Sequence, residues 1–277
     1  MTAAVRILAT AALDIRVARR NRWTLLATLL MTVFALALAL FAVGQAGEVG
    51  ADTLTLTAAS LATLSVYLVP LIALLVSYDA IAGEVERGTL ALVLATPLGR
   101  AELFAGKVLA GTAIVGGAII VAFSVAGAAA YMAGSVTADG LWAWGRLGMT
   151  ALALGAVFVA LGLAISAGSA RAASAAALAV GLWLIFVVLW DVALLGAIMA
   201  SGEGVFAGKV FPYLVLGNPA DAFRIYNLVS LDTAPVAGLD GLARSLPVSP
   251  AATLIPLAMW GTAALWAGAA LTRRLTP

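Results

Sequence analysis

The chain has 277 residues, 64% of them hydrophobic and 10% charged, with a mean hydropathy of +1.12 and a net charge of +2. A water-soluble domain is about 25% charged, so this composition cannot cover a hydrated exterior and the apolar excess must face lipid. Cysteine and histidine are absent, which excludes disulfide frameworks, zinc and haem sites and His-based catalytic pairs, and the small net charge points to no nucleic-acid partner.

At the start of the chain, Val5, Leu8, Ala12 and Ile15 recur at helical spacing, with Arg6, Thr10 and Asp14 on the other side and Arg16, Arg19, Arg20 and Arg22 following. The pattern predicts an amphipathic helix along the inner leaflet, its arginines against anionic headgroups. An unstructured basic leader is the alternative. Six stretches then reach the roughly 20 apolar residues needed to cross a bilayer. They are Thr24–Gly44, Leu56–Ile81, Val108–Ala133, Trp142–Ala167, Ala175–Ala200 and Ala251–Leu271. The first exceeds the ~7–15 residues of a signal-peptide core and reads as a permanent span. Small residues (Gly106, Ala110 and Gly111, then Gly116 and Gly117, and Gly162 with Ser166) let helices approach closely in lipid.

The fold class expected is therefore an all-α membrane protein with six transmembrane helices, an N-terminal interfacial helix and a short helix in the loop between spans two and three. Residues 1–277 are expected to form one transmembrane domain: 1–23 the amphipathic helix, 24–200 spans one to five, 201–250 an outer loop, 251–277 span six and a tail. Eleven of the fifteen basic residues fall on one side: Arg6, Arg16, Arg19, Arg20, Arg22, Arg87, Arg100, Lys107, Arg171, Arg273 and Arg274. Lys209, Arg224 and Arg244 fall on the other, and Arg146 at its boundary. The positive-inside rule then puts both termini in the cytoplasm and the long loop outside, in a bacterial inner membrane. Trp23 at the inner boundary and Trp142 and Trp144 at the outer one agree with this.

The loop 82–107 mixes Glu84, Glu86, Arg87 and Arg100 with an apolar knot at Leu90, Leu92, Val93 and Leu94. Gly83 and Gly88 interrupt regular structure, Thr89 suits a helix cap and Pro97 a helix end. Such a segment either docks a soluble partner or tucks its leucines back into the membrane. The run Glu84-Val85-Glu86-Arg87-Gly88-Thr89-Leu90, with Ala95-Thr96-Pro97, Arg100 and Gly106-Lys107, resembles the first cytoplasmic loop of ABC-2-type permeases. In that family the loop carries a coupling helix seated in a groove of a separate ATPase. The resemblance implies coupling roles for Glu84, Glu86, Arg87, Gly88, Thr89, Leu90, Pro97, Arg100 and Lys107.

In the long loop, Asn218-Pro219-Ala220-Asp221-Ala222-Phe223-Arg224 is similar to the NP-x-D-x-x-R element of Nos-type (NosY-type) permeases, membrane subunits of the ABC complex that matures nitrous oxide reductase. That similarity implies a homodimer with two cytoplasmic ATPase subunits and a periplasmic β-helical partner, serving copper-centre assembly. It also implies that Asn218, Pro219, Asp221 and Arg224 dock the outer partner. On the residues alone, Asn218-Pro219 starts a turn and Asp221 pairs with Arg224 one helical turn on.

No phosphate-cradling Gly-x4-Gly-Lys-Ser/Thr motif is present, since Gly106-Lys107 and Gly208-Lys209 are each followed by valine. No cofactor is expected on this chain; ATP and magnesium belong to the partner ATPase. With no Cys or His, copper(I) would find only Met1, Met31, Met132, Met149, Met199 and Met259, dispersed along the sequence, so no copper path or metal site is expected. Asp191, inside the fifth span, either lines a translocation path at the dimer interface or sits hydrated at the outer boundary. An ABC-2 exporter for another cargo, or an ion-driven secondary transporter, are the alternative functions.

Overall fold

The computed structural model describes residues 2–49, 52–134, 136–201, 210–229 and 249–275. Among them there is no strand, and six helices are long and apolar enough to cross a membrane. In chain order the elements are α1 (Ala3–Ala18), α2 (Arg22–Val49), α3 (Thr53–Ser77), α4 (Asp79–Glu86), α5 (Leu90–Leu94), α6 (Arg100–Ala133) and α7 (Ala138–Ala167). Then come α8 (Ala172–Leu184), a π-helical segment (Ile185–Leu189), α9 (Trp190–Ser201), α10 (Phe211–Leu216) and α11 (Pro219–Val229). A 3-10 turn at Pro250–Leu254 leads into α12 (Ile255–Arg273). The candidate spans are α2, α3 with α4, α6, α7, α8 through α9, and the 3-10 turn with α12.

Helix α7 is the central post, and Leu154, Phe158 and Leu163 on it pack with Leu61 and Val69 of α3 and Val115, Ile119 and Phe123 of α6. The outer helices expose their apolar side chains, as Leu25, Leu29, Val33 and Phe41 of α2 do. In water such a surface would aggregate; in a bilayer it is the natural exterior. At 34 residues, α6 is about 51 Å long, well beyond the ~30 Å hydrocarbon core, so part of it projects from the bilayer.

Helix starts follow local chemistry. Asp52 Oδ2 accepts from the Thr55 N–H and hydroxyl, capping α3, while its Oδ1 accepts from Thr137 N–H at the start of α7. Thr137 in turn caps α7 by accepting from Gly140 N–H at 3.1 Å. Glu102 Oε2 accepts from Gly99 N–H at 3.0 Å, satisfying an amide ahead of α6.

Two places depart from the sequence reading. Residues Ala3–Ala18 are helical, and the Arg6, Thr10 and Asp14 side of this helix, expected to face the headgroups, packs on α6 while Val5, Leu8, Leu13 and Val17 are exposed. The described part of the long loop is not an open loop: 210–229 forms α10 and α11, and α11 is buried along most of its length against α3, α7 and α12. Its Gly, Pro and Asn content obscures the apolar contacts of Phe211, Val215, Phe223 and Ile225. Lys209 and Arg244, used above for orientation, lie outside the described residues.

Candidate functional site

The residues singled out in the sequence gather at opposite ends of the bundle. One end, the terminal end, holds α1, α4, α5, the α7–α8 turn and the last turn of α12. Its centre is Lys107, only 3% exposed on α6, with Nζ 2.7 Å from Glu84 Oε1 and 3.4 Å from Asp14 Oδ2. One cation thus joins the loop after span two, span three and the amphipathic helix. Arg6 repeats the α1–α6 link about two turns away along α1, its Nε 2.8 Å from Glu102 Oε2. Hydrogen bonding to that carboxylate raises the Arg6 guanidinium pKa above its ordinary value. Between these pairs Gly106 lets α1 approach, since a Cβ there would lie 2.7 Å from Thr10 Cβ.

The loop itself grows out of a break in the second span. Helix α3 ends at Ser77 and α4 begins at Asp79, and the Ser166 hydroxyl of α7 accepts from both Ile81 and Ala82 N–H at 2.9 Å. Ser166 therefore caps α4 from a neighbouring helix, so the chain can change course without burying unpaired amides. Gly162, one turn before it, makes room: a Cβ there would lie 2.0 Å from Ser77 Oγ.

The other loop residues divide into braces and surface. Glu86 Oε2 accepts from Ala172 N–H at 2.8 Å, capping the start of α8 with a favourable charge. Arg100 donates to Arg273 O at 2.9 Å, closing the end of α12. Thr89 makes no side-chain cap to α5: its backbone is already helical rather than extended, and its hydroxyl donates back to Glu84 O. Leu90 is buried, whereas Leu92 is 72% exposed. Arg87, 3.5 Å from Asp79, is exposed along with Gly88 and Pro97, and Gly88 turns the chain at φ +70°, a conformation that favours glycine. Leu92 was missed as a candidate; the Leu-rich knot gave no period long enough to tell which leucine faces out.

At the far end, the outer-loop motif and Asp191 come together. Asn218 Oδ1 caps α11 through Ala220 N–H at 2.9 Å, with Pro219 at the first helical position. The Asn218 amide donates to Asp221 Oδ2 at 2.8 Å and to the Phe186 carbonyl at 2.5 Å. Asp221 Oδ1 is 2.8 Å from Arg224 Nη2, and Arg224 Nη1 is 3.8 Å from Asp191 Oδ2. Phe186 belongs to the π-helical segment, where Trp190 N–H bonds Ile185 O five residues back. Trp190 and Trp260 donate to the carbonyls of Leu214 and Gly217, and Phe186 stands edge-on to Trp260 at 4.9 Å. Asn227 and Thr150 exchange hydrogen bonds, fixing α11 to α7.

Asn218, Pro219, Asp221 and Arg224 are thus buried, and their side chains brace α11 inside the bundle rather than presenting a surface. Asp191 is an ion-pair partner of that brace. Among the described residues no three Cys, His, Asp or Glu side chains cluster to hold a metal. Met31 is buried in the core, while Met132, Met149, Met199 and Met259 lie exposed on different helices.

Comparison with known proteins fits this architecture. Residues 8–270 match the family model described as ABC-2 family transporter protein. The chain is 43% identical over 257 residues to the probable ABC transporter permease protein NosY of Pseudomonas aeruginosa, covering 92% of this chain and 93% of that one. It is 39% identical over 261 residues to the protein of the same name from Stutzerimonas stutzeri, covering 93% and 94%. The chain belongs to the ABC-2 family of transporter permeases.

Proposed function

We propose that this permease works as the membrane subunit of a NosY-like ABC complex, receiving work from a cytoplasmic ATPase at α4 and α5 and passing it through the bundle to an outer partner. The observation that carries the reading is the Lys107 node. It ties the loop, at Glu84, to both α1 and α6, so displacement of the exposed Arg87–Pro97 surface pulls on two helices at once. The outward apolar face of α1 supports a position along a membrane leaflet, and the excess of basic residues on that side favours the cytoplasmic one, with both termini in the cytoplasm.

The remaining parts rest on the likeness to the NosY relatives: a homodimer, two ATPase subunits that bind ATP and magnesium, a periplasmic β-helical partner and a role in assembling the copper centres of nitrous oxide reductase. In this reading, Asn218, Asp221 and Arg224 hold α10 and α11 in place for docking, while the exposed Tyr213 and Leu214 of α10 are available for contact. Copper, where handled, is held by the outer partner.

Reconstitution tests the energy source. In vesicles, activity or conformational cycling requires the co-expressed ATPase and ATP. Full activity of the chain alone under a proton or sodium gradient contradicts the reading.

A further inference from the structure

We propose that the chain binds one anionic glycerophospholipid at its terminal end, an acyl chain lying in a groove between α2 and α3 and the phosphate at the turn between α1 and α2. The groove is a cavity of about 570 Å³, walled by Leu26, Leu30 and Met31 of α2 and by Leu68, Leu71 and Leu75 of α3. Both walls are membrane-spanning helices, so the molecules available to this slot are acyl chains or another apolar helix. The slot ends at Asn21, Tyr78 and Asp79. There it shares Asn21, Val76, Asp79 and Ala80 with a second cavity of about 320 Å³ that contains Asp14, Glu84, Arg87 and Lys107. An apolar slot opening into a charged chamber has the shape of an amphiphile.

The charge at the mouth, not in the chamber, favours an anionic head. The chamber's lining sets two cations, Lys107 and Arg87, against three carboxylates, Glu84, Asp14 and Asp79, so the head lies outside it, beside Asn21. Arg16, Arg19, Arg20 and Arg22 are exposed and form no ion pair among the described residues, and Arg20 and Arg22 flank Asn21. The Asn21 side chain accepts from Trp23 N–H through Oδ1, which leaves its amide N–H groups for a phosphate oxygen. Clustered arginines beside a membrane surface attract anionic lipids. A helix from a second copy would fill the slot but leave this basic mouth without a counter-charge.

The test uses the full chain in phosphatidylcholine nanodiscs with graded dioleoyl phosphatidylglycerol, counting lipid retained per chain by native mass spectrometry after detergent washing. One phosphatidylglycerol per chain should persist at low mole fraction, preferred over phosphatidylcholine by roughly tenfold. Ala27→Phe, which fills the slot, should abolish retention, and Leu71→Trp from the opposite wall provides the same test if the first variant misfolds. Arg20→Gln with Arg22→Gln should keep a bound lipid but reduce the preference below about twofold. Equal retention in folded slot-filled variants overturns the proposal. So does a change of oligomeric state in Ala27→Phe with lipid retention unaltered, which would make the occupant a second copy.

Discussion

Glu84 Oε1 lies 2.7 Å from Lys107 Nζ, joining the start of the loop after span two to the third span across a nearly buried cation. With Asp14 on the same ammonium, the contact makes the loop a mechanical extension of the bundle rather than a tether.

Lys107→Met should destabilise the chain by about 3–5 kcal/mol, because two carboxylates lose their shared counter-charge in a site shielded from water. Adding Glu84→Gln should recover part of that loss. Chemical unfolding midpoints in detergent for the two single variants and the double variant give the coupling directly.

Ser166→Ala should leave the Ile81 and Ala82 N–H groups without their acceptor, a loss of about 1–3 kcal/mol. Limited proteolysis within 79–97 should accelerate before the rest of the bundle is cut. Gly162→Ala should lower stability by about 1–3 kcal/mol through collision with Ser77, and Ser77→Ala should relieve much of it.

Arg224→Met should unfold or severely weaken the chain, by about 3–5 kcal/mol, since it removes the counter-charge of Asp221, which is 1% exposed, and the ion-pair partner of Asp191. Asn218→Ala should lose about 2 kcal/mol by removing the bonds to Phe186 O, Asp221 and Ala220 N–H. Thermal unfolding of the purified variants checks both, and loss of outer-partner binding should track the unfolded fraction.

Six spans were legible because a run of about 20 apolar residues has one stable answer in lipid. The elements missed were those stabilised by contacts distant in sequence. The break at Tyr78 is capped by Ser166, far away in the chain, so nothing local at Ser77–Asp79 announces it. Helix α11 contains Asp221, Arg224 and Asn227, which read as a solvated loop until their partners Asn218, Asp191 and Thr150 are placed. The pairing of Asp221 with Arg224 was readable from its i, i+3 spacing; the addition of Asp191 was not. In the loop 82–107 the charged positions were visible, but Glu86 and Leu90 turned out to be a helix cap and a buried contact, and the exposed leucine is Leu92.

That division decides the most direct experiment. Replacing Glu86, Arg87 and Leu90 together would disturb the α8 cap and the packing as well as the surface. Arg87→Ala with Leu92→Glu changes exposed side chains only, so the chain should fold with an unfolding midpoint within about 0.5 kcal/mol of wild type. Co-purification of the ATPase subunit with this folded double variant is the measurement: the account predicts its loss together with ATP-dependent activity, and stoichiometric retention with normal coupling would contradict it.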